Sequence, residues 1–387
     1  MACEVAVARC AGYGEEEVRR ALLEVLAPIG GLDWVKPGMT VAIKANLISA
    51  MKPDAAATTH PAVIAAMVKL LQERGAAAIV GDSPGGPYTA AYLAGVYRAA
   101  GLDAAEAAGA RLNRDFSVKE ADFPQAVEAK KFEYTAWLDG ADAIIDLCKL
   151  KTHGMMAMTG AAKNLFGTIP GLTKGAYHYR YPNETRFADM IVDLNEYFRP
   201  RLCVVDAVYA MEGNGPTQGR PRKIGALLAS QCPHSVDLAC AKLIGLTVQD
   251  VPTLLAAQKR GLIPQTAEEL TVHGDLNAFA CPDFDLIRHF HAIEFYGTGK
   301  GAVHRMIGRI ARRALETVPG VRADACVGCG KCAAVCPAKA IAMEKRLPRI
   351  DQKKCIRCFC CQELCPKGAM KAKRPPLARI LDGKRSS

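Results

Sequence analysis

Eight cysteines near the C-terminal end have the residue type and spacing of metal ligands. They form two copies of C-x2-C-x2-C-x3-C-P, and the segment CVGCGKCAAVCPAKAI aligns without gaps on CIRCFCCQELCPKGAM. In this pattern three closely spaced thiolates bind one [4Fe-4S] cubane, and the fourth cysteine, beside its proline, binds the other. The spacing therefore predicts two [4Fe-4S] clusters with interlocking ligand sets. The predicted ligands are Cys326, Cys329, Cys332 and Cys365 for cluster I, and Cys336, Cys355, Cys358 and Cys361 for cluster II.

Zinc is the alternative interpretation of these cysteines. Zinc sites pair two C-x2-C units around one tetrahedral ion, and they do not require a third and fourth cysteine at this spacing. The pattern therefore favours iron and sulfide. Cys360 falls outside the pattern and is expected to be a bystander thiol, with an alternative cluster ligand as the other interpretation. The remaining cysteines have no ligand spacing and are expected to be buried free thiols in a reducing compartment. They are Cys3, Cys10, Cys148, Cys203, Cys232, Cys240 and Cys281.

Residues 326–370, which contain both copies, resemble a bacterial-type two-cluster ferredoxin. The resemblance implies low-potential, one-electron transfer through two cubanes in series. A ferredoxin needs only about sixty residues, so the preceding 300 residues must serve another purpose.

The length of the chain indicates more than one domain. Half of its 387 residues are hydrophobic, which is enough for a large core and a smaller second one. We predict an α/β domain over residues 1–300, a basic linker helix over 301–320, the ferredoxin-like domain over 321–375, and a basic tail over 376–387. No apolar run is long enough to span a membrane, and the first residues lack the pattern of a signal peptide, so we expect a cytoplasmic protein.

The net charge of +11 is concentrated in the C-terminal part of the chain. From Gly299 onward there are 21 Lys and Arg against 6 Asp and Glu. Such a bias can indicate nucleic acid or an anionic membrane. Clusters with thiolate ligands carry negative charge that offsets part of the positive charge, so neither partner is needed to explain it, and we expect no nucleic acid and no membrane span.

Before residue 300, short apolar runs alternate with amphipathic patterns. The runs Val5–Ala8, Val41–Ala45, Ala77–Val80, Ala143–Leu147 and Leu202–Val205 are predicted strands. The predicted helices between them are Glu15–Leu26, Ala62–Arg74, Ala90–Ala100 and Asp189–Phe198. This alternation predicts an α/β fold with a mostly parallel sheet, followed by a small α+β domain.

Polar, glycine-containing segments follow several of these strands. Parallel strands bring the loops after their carboxyl ends to one edge of a sheet, where such folds bind ligands. Lysines there suit phosphate or carboxylate, and carboxylates can hold a cation or relay protons. We assign catalytic roles to His153, Lys163 and Asp82, and ligand binding to Lys44, Asn46, Asn164, Asp206 and Glu212. The mixture suits an anionic or metal-bound substrate.

Several of these residues also have structural interpretations. Asp82 can cap the turn that contains Pro84, and Glu212 can brace the turn at Gly213 to Gly215. Lys163 and Asn164 can belong to the start of a helix. His178 is expected to pack among tyrosines at the surface. The spacing of His289 and His291 resembles a metal site but has no nearby partner, so we expect no metal there.

The segments KANL, GDSPGG, KLKTHG with TGAAKNLFGTIPG, and DAVYAMEGNGP together resemble an uncharacterised bacterial and archaeal family, domain of unknown function 362. The resemblance covers residues 1 to 300, and many members carry a ferredoxin module behind this domain. It implies the architecture and assigns no catalytic residue.

Three hypotheses for the function remain. The first is an iron–sulfur oxidoreductase in which the clusters exchange electrons with a site on the α/β domain. The second is an electron carrier whose large domain docks a redox partner protein, and the third is a redox-sensing protein that binds a metal or phosphate ligand. The chain has no G-x-x-x-x-G-K-[ST] loop and no G-x-G-x-x-G fingerprint, which argues against ATPases and nicotinamide enzymes. Flavin binding stays open.

Overall fold

The computed structural model of the protein describes residues 3–287, 317–373 and 375. The chain divides into two compact units, Met1–Asp285 and Leu286–Ser387, so the first unit ends before the predicted boundary at residue 300. Most of the predicted linker helix, His289, His291 and the tail lie outside the described residues. Residues 318–320, which we placed in the linker helix, belong to a strand instead.

The first unit is built from alternating strands and helices. Its strands are β1 Glu4–Arg9, β2 Thr40–Ala45, β3 Ala77–Gly81, β4 Arg111–Leu112, β5 Val118–Asp122, β6 Lys131–Thr135, β7 Ala143–His153, β8 Ala157–Thr159, β9 Leu202–Glu212, β10 Arg220–Ser230 and β11 Thr271–His273. Its helices are α1 Glu15–Leu26, α2 Pro61–Glu73, α3 Ala90–Ala99, α4 Asp103–Ala107, α5 Ala161–Asn164, α6 Lys174–Arg180, α7 Glu184–Phe198, α8 Pro233–Leu243 and α9 Pro252–Lys259.

Nine strands of the described residues form one sheet in the order β11-β1-β10-β9-β7-β2-β3-β4, with β8 paired to β7. The pairs of β2 with β3, β2 with β7, β3 with β4, β7 with β9 and β1 with β11 are parallel. β10 runs antiparallel to both β1 and β9. The predicted mostly parallel α/β fold is confirmed.

Helix α1 shows how the sequence specifies these elements. It begins with three glutamates, which interact favourably with the positive end of the helix dipole. Val18, Leu22 and Val25 recur at helical spacing and are fully buried. The observed bounds of α1 coincide with the predicted ones, because periodicity and terminal charge agree.

Strands β7 and β9 are longer than the sequence indicated. We ended them at Leu147 and Val205, but they continue to His153 and Glu212. Lys149 and Asp206 therefore lie within strands and not in the expected loops, and they are register partners across β7 and β9. Charged residues interrupt the apolar pattern, yet Lys149 of β7 forms an ion pair with Asp206 of the neighbouring β9, so pairing of the two strands continues.

The second unit repeats one strand–helix–strand pattern. Its elements are β12 Val318–Val321, α10 Lys331–Ala334, β13 Ile341–Glu344, β14 Leu347–Ile350, α11 Cys360–Glu363 and β15 Met370–Lys373. β12 pairs with β15 and β13 pairs with β14, both antiparallel. Each element of the second half follows its counterpart at the offset that separates Cys326 from Cys355. The predicted small α+β domain is confirmed.

Within the described residues, no helix is both long and apolar enough to cross a membrane.

Candidate functional site

A buried ion pair lies at the carboxyl ends of β2 and β3. The ammonium of Lys44 is 2.7 Å from Oδ1 of Asp82, and neither side chain is more than 3% exposed. The Asp82 carboxylate also accepts hydrogen bonds from the backbone N–H groups of Leu47 and Ser83, both at 2.8 Å. Asp82 thus holds the lysine and the two loops that follow these strands in one arrangement.

Asn164, at the end of α5, joins this pair to neighbouring polar groups. Its Oδ1 accepts hydrogen bonds from Lys44 Nζ at 3.1 Å and from Asn46 Nδ2 at 3.0 Å. Its Nδ2 donates to Asp146 and to the carbonyl oxygen of Lys44. Lys151 donates to Asn46 Oδ1 and, at 2.7 Å, to the carbonyl oxygen of Ala57. We call the set Lys44, Asn46, Asp82, Asp146, Lys151 and Asn164 the Lys44 cluster.

Asp146 is a member of this cluster that the sequence analysis missed. It lies in β7, its side chain is fully buried, and its Oδ2 has no hydrogen-bond partner among the described residues. Burial raises the pKa of Asp146 to about 8, although the nearby Lys44 opposes the shift. The carboxyl group therefore holds a proton near neutral pH. A charged residue within the apolar run AIIDLC was the signal that could have identified it.

Two neighbouring residues determine the position of Asn164 in the cluster. They are Gly167, which has no side chain, and the buried Asp237. A side chain at Gly167 would collide with Asp82 and Lys44, so this position admits only glycine without rearrangement. Asp237 accepts hydrogen bonds from the N–H groups of Ala161 and Ala162, at 2.7 and 3.0 Å, and so fixes the start of α5. Burial raises the pKa of Asp237 to about 7.

A second buried pair joins β7 to β9. The Lys149 ammonium lies 2.8 Å from Asp206 Oδ2 and donates, also at 2.8 Å, to the hydroxyl oxygen of Tyr13. The Tyr13 hydroxyl donates to Asp206 Oδ1 at 3.0 Å, and the backbone N–H of His60 donates to Oδ2 at the same distance. The rings of Tyr13 and His60 stack with centroids 3.5 Å apart. We call Tyr13, His60, Lys149 and Asp206 the Asp206 cluster.

Burial sets the protonation preferences of this second cluster. It lowers the pKa of Lys149 against the opposing effect of Asp206, and it raises the pKa of Tyr13. Burial also lowers the pKa of His60 to about 4, so the ring is neutral at physiological pH. His60 Nδ1 accepts a hydrogen bond from the N–H of Ala62 and caps α2. Tyr13 and His60 carry no local sequence signal, because only the tertiary fold brings them to Asp206.

Three of the predicted site residues lie in other surroundings. His153 is buried at the end of β7, and its Nδ1 accepts hydrogen bonds from the N–H groups of Met155 and Met156, at 3.0 and 3.2 Å. The Lys163 ammonium lies 4.5 Å from the centre of the Phe166 ring. Glu212 accepts from Arg220 Nε at 2.8 Å and from the N–H of Asp285 at 3.0 Å. The contacts of His153 stabilise a turn, Lys163 packs against an aromatic ring, and the contacts of Glu212 fix the end of β9. None of these contacts involves Asp82.

The expectation for His178 was wrong. Its side chain is buried and stacks on Phe187 with ring centres 4.3 Å apart. Burial, together with the charges of Lys163 and Lys174, lowers its pKa to about 3. His178 is therefore a neutral residue of the core.

Within the described residues of the second unit, two cavities are each lined by four cysteines. Cys326, Cys329, Cys332 and Cys365 line one cavity, and Cys336, Cys355, Cys358 and Cys361 line the other. These groups coincide with the two ligand sets predicted from spacing, and each set draws one cysteine from the opposite repeat. Cys360 lines neither cavity.

The surroundings of these sulfurs fit a bound iron–sulfur cluster. The N–H of Ala340 lies 3.2 Å from Cys336 Sγ, and the N–H of Ala369 lies 3.3 Å from Cys365 Sγ. Both cysteines are the fourth of their motifs, so the two contacts are equivalent in the repeat. Amide donors stabilise thiolate charge and tune the potential of a cluster.

Comparisons with known proteins agree with this architecture. The model for the domain of unknown function DUF362 matches residues 41–242, and a 4Fe-4S dicluster domain matches residues 319–366. A thylakoid-associated protein of Synechocystis sp. is 33% identical over 279 residues, which cover 70% of this chain and 83% of that protein.

A solved structure also matches the chain. It is the lactate racemase apoprotein from Thermoanaerobacterium thermosaccharolyticum, at 12% identity and a TM-score of 0.41. The match covers 63% of this chain and 57% of the racemase chain, so it spans less than two thirds of the racemase's length. Both resemblances noted in the sequence are confirmed by the family models: the chain belongs to the domain of unknown function 362 family and carries a C-terminal 4Fe-4S dicluster domain.

Proposed function

We propose that this protein is a cytoplasmic iron–sulfur oxidoreductase that holds two [4Fe-4S] clusters and exchanges electrons with an anionic substrate at the carboxyl edge of its α/β sheet. The observation that carries the proposal is the sorting of eight cysteines into two groups of four around two cavities. A dicluster domain of this kind binds iron–sulfur clusters and transfers electrons.

The composition of each cavity favours a cubane over zinc. A zinc site would be completed by two C-x2-C pairs around one ion. Here each cavity gathers three cysteines of one repeat and the fourth of the other, as two interlocked cubanes require. When bound, the clusters supply one-electron transfer, and the chain supplies the thiolates and the amide donors of Ala340 and Ala369.

The Lys44 cluster supports chemistry that couples electrons to protons. Reduction of an organic substrate generally consumes protons as well as electrons. Asp146 has a pKa of about 8 and is hydrogen-bonded to Asn164, which also contacts Lys44 and Asn46. A carboxyl group that holds its proton near neutral pH is suited to act as an acid.

The predicted catalytic residues take different roles in this proposal. Asp82 positions Lys44, since every contact it makes serves to fix its neighbours. Lys163 is partly exposed, and its ammonium is the group that would attract an anionic substrate. Nδ1 of His153 accepts hydrogen bonds from two backbone N–H groups, which leaves Nε2 as the ring nitrogen that can carry a proton toward a ligand.

Anaerobic purification with iron and sulfide analysis, followed by EPR of the dithionite-reduced protein, tests the cluster part of the proposal. About eight irons per chain and signals from two interacting cubanes are expected. Zinc in place of iron would overturn the electron-transfer function altogether.

A second function is favoured by one observation. The charged groups of the sheet edge largely satisfy one another, as in the Lys44–Asp82 and Lys149–Asp206 pairs, which is also what a rigid docking scaffold needs. In that case the protein is an electron carrier, and the α/β unit binds a redox partner protein.

The acceptor of the electrons distinguishes the two functions. The dithionite-reduced protein is mixed with either the small-molecule or the protein fraction of a cell extract, and the recovery of the visible cluster absorbance is followed. Oxidation by small molecules that slows in a Lys163→Ala variant indicates the oxidoreductase. Oxidation by the protein fraction alone, unchanged in that variant, indicates the carrier.

A further inference from the structure

The two cysteine-lined cavities differ in their exposure. Cys329 is the one exposed residue of the eight described cysteines that line them, while its counterpart in the second repeat, Cys358, is buried. Val327, which lies between Cys326 and Cys329 and also lines the first cavity, is 50% exposed. Of the two cavities, the first is therefore the one lined by an exposed cysteine.

One pair of equivalent positions explains this asymmetry. Gly330 in the first repeat corresponds to Phe359 in the second, and both have a left-handed backbone, with φ of 72° and 60°. A side chain added at Gly330 would meet open space, whereas the ring of Phe359 is only 4% exposed and lines the second cavity. Phenylalanine thus covers one cavity where glycine leaves the other uncovered.

Charge follows the same asymmetry. Lys331 and Lys367 line the first cavity and are exposed, but their counterparts in the other repeat, Cys360 and Ala338, are uncharged. Among the described residues that line either cavity, none is acidic. Residues 317–373 contain 12 Lys and Arg against 4 Asp and Glu. Two of these acids are paired within the unit, Asp324 with Arg322 and Glu344 with Arg349.

We propose that the surface formed by Val327, Cys329, Lys331 and Lys367, here called the cluster I face, docks an acidic electron-transfer protein. An exposed apolar residue supplies contact, two lysines attract carboxylates of the partner, and the exposed ligand gives electrons the shortest exit. The inference rests on the proposed function, because a cluster must be bound for electrons to leave.

Electron transfer to a protein probe of opposite charge tests this face. The dithionite-reduced, cluster-loaded protein passes one electron to the oxidised flavin of an acidic flavodoxin, and the rate is followed in a stopped-flow instrument as salt is added. Because the attraction is electrostatic, the second-order rate should fall with increasing ionic strength. A rate that is independent of salt or rises with it overturns the proposal.

Charge-reversal variants locate the face. The double variant Lys331→Glu, Lys367→Glu should slow the reaction at low salt by about tenfold. The control double variant Lys353→Glu, Lys354→Glu has the same net charge. These exposed lysines line neither cavity, so the rate of electron transfer should fall much less in the control. If both double variants slowed the reaction equally, the net charge of the protein would attract the partner and the cluster I face would not, which would overturn the proposal. Gly330→Phe should also slow the reaction while iron content stays unchanged.

Carbodiimide cross-linking to flavodoxin gives a second readout that does not depend on turnover. Cross-links at Lys331 or Lys367 support the cluster I face. Cross-links at other lysines, or from these two lysines to carboxylates of the chain's own α/β unit, contradict an external partner there. Iron content and the EPR spectrum are measured first, and a protein without clusters overturns the proposed function. If the clusters are present but the rate of electron transfer does not depend on salt, only the docking inference is overturned.

Discussion

The ammonium of Lys149 lies 2.8 Å from a carboxylate oxygen of Asp206, and neither side chain is more than 1% exposed. The two residues are register partners on adjacent parallel strands, and Tyr13 bonds to both. A buried pair of this kind joins the middle of the sheet, so removing one partner leaves an uncompensated charge.

Lys149→Met should therefore destabilise the α/β unit by about 3–5 kcal/mol. Urea unfolding followed by tryptophan fluorescence measures this, because Trp34 and Trp137 both lie in that unit. Lys119→Met, which removes an exposed pair with Asp139, is the control and should cost less than about 1 kcal/mol. If the free energy of unfolding fell by a similarly small amount in both variants, the folded protein would tolerate buried Asp206 without the Lys149 ammonium.

Asp146 makes the stability of the α/β unit depend on pH. Its pKa rises from 3.8 to about 8 in the folded protein, so between these values the folded chain binds more protons than the unfolded chain. The free energy of unfolding should then fall as pH rises, by up to about 1.4 kcal/mol per pH unit from this group. Asp146→Asn removes the titration and keeps an acceptor for Asn164, so the slope between about pH 5 and 8 should flatten.

The control for this experiment is Asp283→Asn. Asp283 is exposed, and its pKa is lowered by the hydrogen bond from Arg222, so it is ionised in both states throughout that range. Its removal should leave the slope unchanged. An unaltered slope in Asp146→Asn would show that another group, such as Asp237, causes the dependence.

The interlocked ligand sets predict which cysteines act together. Cys365→Ala and Cys326→Ala should lose the same cluster, although these residues belong to different repeats, because both line the first cavity. Each variant should keep about four irons and show the same remaining EPR signal. Cys355→Ala should instead lose the other cluster, and Cys360→Ala should keep both. If Cys365→Ala resembled Cys355→Ala, each repeat would bind its own cluster.

Gly167 is predicted to be essential for the packing of the Lys44 cluster. An alanine methyl group would collide with Asp82 and Lys44, so Gly167→Ala should cost about 1–3 kcal/mol. Gly175→Ala is the matched control, because a methyl group there meets no atom and lies within helix α6. Urea unfolding of both variants provides the comparison, and equal stabilities would contradict the close packing at Gly167.

Local patterns determined much of the architecture. The bounds of α1 and the alternation of strands and helices follow from periodicity, and the cysteine spacing predicted two groups of four that each line a cavity. These features were readable because the residues that define them are close in sequence. Strands β7 and β9 were predicted too short, since Lys149 and Asp206 interrupt the apolar pattern and only the fold pairs them with each other.

The polar clusters depended on tertiary structure. The sequence identified Lys44, Asn46, Asp82 and Asn164 as candidates, and the fold joins them because α5 returns to the ends of β2 and β3. Tyr13 and His60 meet Asp206 from distant segments, so no local pattern could indicate them. The sequence by itself determined which eight cysteines have the type and spacing of cluster ligands, because that pattern is local. Only the tertiary structure decided which charges neutralise each other and which carboxyl group, Asp146, keeps its proton, because desolvation depends on everything packed around a group.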